Sequence, residues 1–113
     1  MCHFEHQAHS NPLILPGIQD ITAHVDFTAI AQAATEHELE LAGYTHQAAF
    51  LNNCGLLSLR NTTDAVTQYT QAQQIKMLTL ASEMGELFKV IGLQKKLDLD
   101  LLGFTAFDLS YRL

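Results

Sequence analysis

Only two stretches of this chain carry the signature of a β-strand, and a long helical stretch separates them. The first runs from Glu38 to Thr45, where Leu39 and Leu41 alternate with Glu38 and Glu40. The second is Leu87-Phe88-Lys89-Val90-Ile91-Gly92-Leu93, a short run rich in Val, Ile and Phe. Gly85 and Gly92 bracket it and weaken the helical alternative. Two strands joined through helices cannot make a stable sheet alone, and each needs an apolar face covered. The chain is therefore expected to take further strands from elsewhere and to present sheet edges through which it associates.

The remaining segments read as helix or turn. Phe27, Ile30, Ala31 and Ala34 follow at helical spacing, with Asp26 placed to cap a helix over 26–37. Thr45 is expected to cap a second helix opening at Gln47-Ala48, and Gly55 is suited to end it. A third, from Asp64 to Leu80, has Val66, Tyr69, Ala72, Ile75 and Leu78 along one stripe. Residues 1–19, with Pro12, Pro16 and Gly17, read as a long loop with a short extended piece. Leu101-Leu102-Gly103-Phe104 is expected to dock the C-terminus. At 113 residues the chain fits one α/β domain or equally part of a larger one, with loop and extended segment over 1–25 and helices and strands over 26–113.

Charge excludes several partners. Twelve acids face six Lys and Arg, a formal net charge of −6, and the cations at 60, 76, 89, 95, 96 and 112 form no basic stripe. Such a surface has nothing to replace counterions on phosphates, so nucleic acid and anionic membranes are not expected partners. No uncharged run reaches the length of a membrane span, and MCHFEH lacks a signal-peptide pattern. Cys2 and Cys54 lie far apart without CxxC spacing and read as reduced cytosolic thiols, Cys54 buried. A cytoplasmic location is expected.

The chemistry concentrates in Asp20-Ile21-Thr22-Ala23-His24-Val25-Asp26-Phe27. In an extended segment, Ile21, Ala23 and Val25 would be buried, turning Thr22, His24 and Asp26 toward a cleft. Asp20, Thr22, His24 and Asp26 are thus candidate substrate-cleft residues, joined by Gln47 at the start of the second helix. Each also has an ordinary role: turn and cap for Thr22 and Asp26, packing for His24. His3, His6 and His9 recur at three-residue spacing and offer a metal site as the weaker alternative; since no second ligand couple appears downstream, no metal is expected and the histidines are read as surface or cleft residues. Cys54 has neither base nor cation beside it and is not expected to be a nucleophile.

Four separate motifs carry a resemblance. Cys2-His3-Phe4 with His6 and His9, then Pro16-Gly17-Ile18-Gln19-Asp20-Ile21-Thr22-Ala23-His24-Val25-Asp26-Phe27, then Gln47-Ala48-Ala49-Phe50-Leu51, then Met84-Gly85-Glu86-Leu87-Phe88-Lys89-Val90 occur in one order. Together they resemble the C-terminal part of the MidA-type SAM-dependent methyltransferases. The resemblance implies the C-terminal part of a class I, Rossmann-like fold: 26–37 a helix after the fifth strand, 38–45 and 86–94 a closing antiparallel strand pair. It implies S-adenosylmethionine as cofactor of the parent family, and for eukaryotic members a mitochondrial location and arginine methylation of a respiratory complex I subunit. The family's glycine-rich cofactor loop has no counterpart here, since the six glycines stand isolated at 17, 43, 55, 85, 92 and 103. No cofactor is therefore expected on this chain alone.

Two readings follow. In one, the chain is the C-terminal fragment of a SAM-dependent methyltransferase, with arginine as a candidate acceptor, inactive without its N-terminal half. In the other it is a non-catalytic binding or assembly module that docks on a partner chain.

Overall fold

The computed structural model describes residues 1–5, 7–59 and 64–113. Three short strands open the chain: β1 (Cys2–Phe4), β2 (Gln7–His9) and β3 (Asp20–Ile21), forming an antiparallel sheet in the order β2-β1-β3. Cys2 stands opposite both His9 and Ile21, and His3 opposite both Ala8 and Asp20. The expected long loop is thus a small sheet. Its strands are too short to show alternation, and Glu5 enters the turn after β1 at φ 44° without a glycine or asparagine to mark it. Ile21, Ala23 and Val25, expected inside, are all exposed, because no described layer covers β3 or the segment between it and α1.

The next unit follows the sequence closely. Helix α1 (Phe27–Glu36) begins as expected, with the Asp26 carboxylate accepting the Ala29 N–H at 3.0 Å. Strand β4 (Glu40–His46) pairs antiparallel with β5 (Lys89–Gln94), from Glu40 opposite Gln94 to His46 opposite Lys89, with an irregularity between Leu41 and Gly43. Phe27 on α1 packs its ring 5.1 Å from that of Tyr44 on β4. The connection between them is tied by Lys95, which pairs with Glu38 at 3.5 Å.

The C-terminal segment closes one edge of this sheet. Leu109 N–H donates to Tyr44 O at 2.7 Å, Tyr44 N–H donates to the Asp108 carboxylate at 3.1 Å, and the buried Thr45 hydroxyl donates to Phe107 O at 2.7 Å. Thr45 therefore satisfies the sheet edge rather than capping the second helix, whose N-cap is His46. Behind it, Phe104 lies over the facing pair Gly43 and Gly92; a Cβ on Gly92 would stand 2.7 Å from the ring, and one on Gly43 closer still. Phe104 meets Phe50 edge-on at 5.4 Å, and Asn53 donates to Gly103 O and Ala106 O. With one edge of β4 on β5 and the other on 107–109, the open edge of this sheet among the described residues belongs to β5.

Helix α2 (Gln47–Asn53) has its first amides satisfied by loop carbonyls, Gln47 N–H on Phe88 O and Ala48 N–H on Gly85 O. Gly55 follows it at φ 86°, the left-handed residue its sequence calls for. Cys54, at the exposed helix end, is accessible, and the buried cysteine is Cys2. Helix α3 (Ala65–Thr79) starts at Asp64, whose carboxylate accepts from Thr67 N–H and Oγ1. These bonds hold the Asp64 carboxyl below its ordinary pKa, the Thr67 hydroxyl contributing most. Part of the expected apolar stripe faces solvent, Val66 at 75% and Tyr69 at 68% exposure.

That openness extends to the whole chain. The accessible surface is 8565 Å², where a folded domain of this mass would show about 6,200 Å². The radius of gyration is 17.9 Å, against about 13 Å for a compact domain of this length. The slab measures 48 × 45 × 22 Å, and Cys2, Ala34 and Tyr44 are the buried apolar side chains among the described residues. The helices meet the β4–β5 sheet through contacts such as Phe27 on Tyr44 and Phe104 on Gly43 and Gly92, and these leave few apolar side chains fully buried.

Candidate functional site

One polar cleft forms where α1, the end of the β4–β5 ladder and the C-terminal turn converge. It encloses about 350 Å³ and is lined by residues 25–28, Tyr44, His46, Lys89, Leu109, Arg112 and Leu113. The pleat explains the grouping. Tyr44 and His46 are two residues apart on β4 and share a face, and Lys89 is the cross-strand partner of His46, so its side chain rises on that same face. Arg112 arrives from the last turn, with its guanidinium 5.7 Å from the Tyr111 ring centroid.

The polar groups here are unevenly satisfied. Asp26 is engaged by the Ala29 amide, and the Lys89 ammonium donates to Glu86 O. His46 Nδ1 is buried with no hydrogen-bond partner among the described residues: His46 is the N-cap of α2, and its side chain makes no capping bond. Among the described residues neither Lys89 nor Arg112 is paired with a carboxylate. Just outside, Asp108 experiences burial, which raises its pKa. Its bonds to the Ser110 hydroxyl and to the Tyr44, Ser110 and Leu109 amides outweigh that and hold it below the usual carboxylate value.

Of the residues singled out from sequence, Asp26 lines this cleft. Asp20 lies in β3 opposite His3, and Thr22 Oγ1 donates to Met1 O at 3.2 Å. His24 is exposed on the segment between β3 and α1. Gln47 donates its Nε2 to Leu78 O, tying α2 to the end of α3. His46, Lys89, Tyr44 and Arg112 come from elements far apart in sequence, and their signal was at most the alternation of β4 continuing one residue beyond Thr45.

Among the described residues no group of three or more His, Cys, Asp or Glu is placed to hold a metal. His3 and His9 lie in β1 and β2, and His6 lies outside the described residues. His9 has both ring nitrogens buried without a partner among the described residues. No helix among the described residues is long and apolar enough to cross a membrane.

Comparison with known proteins adds a family. A family model described as "Putative S-adenosyl-L-methionine-dependent methyltransferase" matches residues 1–45. No curated protein matches the chain. Two solved structures from Burkholderia thailandensis, both of one superfamily, align with 100% of the chain at 43% identity and a TM-score of 0.88. One is an uncharacterized protein in its native form, of which the chain covers 31%. The other is a "likely methyl transferase" bound to S-adenosyl-homocysteine, of which it covers 30%. The chain is thus similar over its whole length to under a third of these proteins, and its first 45 residues match a methyltransferase family.

Proposed function

We propose that this chain is the C-terminal, sheet-closing part of a class I, Rossmann-like methyltransferase of the MidA type, and that it acts when docked on the part that holds S-adenosylmethionine. One observation carries the reading: the full chain aligns with 30% of a relative bound to S-adenosyl-homocysteine. The open fold supports it. A chain with about 2,400 Å² more accessible surface than a compact domain would have, and with the β5 edge open among the described residues, is suited to receive the rest of a sheet.

The division of labour follows from the residues. The cofactor supplies an electrophilic methyl group, and a glycine-rich turn to hold it is absent from this sequence. This chain is assigned the acceptor side. Methyl transfer needs the nucleophile aligned and its proton accepted, and the His46 imidazole that lines the cleft is the candidate acceptor for that proton. Asp20, Thr22 and His24 remain candidates for the approach wall beside Asp26. Protein arginine as acceptor, and the cytoplasm or, in a eukaryote, the mitochondrion as compartment, are what the family resemblance supports. Alone, the chain is expected to be inactive.

The test is reconstitution with the remaining part of the Burkholderia thailandensis relative and labelled S-adenosylmethionine. Label transferred to protein by the assembly, and by neither part alone, supports the proposal. An assembly that forms and transfers nothing leaves the chain as a docking module.

A further inference from the structure

We infer that the cleft at the end of the β4–β5 ladder is an oxyanion-binding site, taking a carboxylate or phosphate group. Its basis is a juxtaposition of cations in a chain that is otherwise acidic. The formal net charge is −6, yet Lys89 and Arg112, of six Lys and Arg in all, line the same cleft. His46 and Lys89 face each other across one rung, so the imidazole and the ammonium open on the same cleft. His46 adds a buried Nδ1 that no group among the described residues satisfies, and buried polar atoms are rarely left so.

The surroundings fit a ligand group of modest size. The volume is about 350 Å³, and Tyr44, Phe27, Val25 and Leu109 supply an apolar floor against which two cations are less screened than on an open surface. Arg112 offers a planar fork for two oxygens, whereas Lys89 acts as a point charge. The carboxylates that face the same space are Asp26, occupied by the Ala29 amide, and that of Leu113. Neither lies within ion-pair distance of Lys89 or Arg112. Resting on the methyltransferase reading, the site would hold an acidic group beside the one that is methylated; the binding chemistry itself requires no methyl transfer.

The experiment is a titration of the full 113-residue chain with inorganic phosphate and, separately, acetate at constant ionic strength, followed through the His46 ring resonances. Saturable shifts are expected, weakened roughly tenfold by Lys89→Gln and again by Arg112→Gln, as loss of a charge-assisted bond predicts. Lys76→Gln, on α3, should leave binding unchanged. Phosphate binding stronger than acetate points to a phosphorylated ligand, and the reverse to a carboxylate. No saturable shift, or shifts equal in all three variants, meaning an adventitious ion only, overturns the inference. Anion binding with a reconstituted assembly that transfers no methyl group would overturn the functional reading alone.

Discussion

The Asp108 carboxylate accepts the backbone N–H of Tyr44 at 3.1 Å across 64 positions of sequence, and so fixes the C-terminal turn to the edge of β4. The same carboxylate receives Ser110 N–H at 3.0 Å and its hydroxyl at 2.6 Å. One side chain thereby holds the turn that carries Leu109 and Arg112 into the cleft.

That bond set predicts a pH dependence. Because the folded value of Asp108 is lowered, its contribution is fully present above the ordinary carboxylate pKa of 3.8 and is lost as pH falls through the lowered value. Asp108→Ala should lower the melting temperature at pH 7, by no more than about 1 kcal/mol equivalent for so exposed a group. The gap between variant and parent should close as the pH is taken below the carboxylate range. Thermal melts at pH 7 and in strong acid check it.

The glycine notch under Phe104 predicts an order of severity. At Gly92 a new methyl meets the far end of the ring, which can swing; at Gly43 it meets the ring beside the Phe104 Cβ, which cannot. Gly43→Ala should therefore cost more than Gly92→Ala, within the 1–3 kcal/mol typical of overpacking. Urea unfolding of the two variants in the assembled protein would show the ranking or refute it.

Thr45 gives a sharper case of a single bond. Its side chain is fully buried and its hydroxyl is held by Phe107 O at 2.7 Å. Thr45→Val keeps the shape and removes the donor, leaving a carbonyl without its partner. A loss of about 1–3 kcal/mol is expected, against almost none for Thr105→Val, whose hydroxyl bonds within an exposed turn.

Much of this architecture is legible in local pattern. Asp26 and Asp64 mark two helix starts because a short acceptor before an apolar period has little else to do, and both caps are present. The two strands and Gly55 follow for similarly local reasons. What pattern could not show is set by long-range register. β1 and β2 pair through a turn without the usual residues, and Thr45 reads equally as cap or strand until Phe107 is seen beside it. The cleft is the extreme case, since His46, Lys89 and Arg112 meet only once β4, β5 and the C-terminal turn are assembled.

The edge of β5 that is open among the described residues predicts hydrogen exchange. In the chain alone, the β5 amides that do not point at β4 should exchange at nearly the rate of exposed amides. Adding the remaining part of the relative should protect them, while the β4 amides bonded to β5 change little. Equal protection of all β5 amides in the isolated chain would mean that the edge is already covered.

Calorimetric binding of S-adenosyl-homocysteine addresses the central claim most directly. The chain is mixed with the remaining part of the Burkholderia thailandensis relative, and each is also titrated alone. The proposal predicts a stoichiometric complex that binds S-adenosyl-homocysteine at least tenfold more tightly than the relative's part by itself, and no binding by this chain alone. Failure of the two parts to associate, or cofactor binding by the isolated chain, would contradict it.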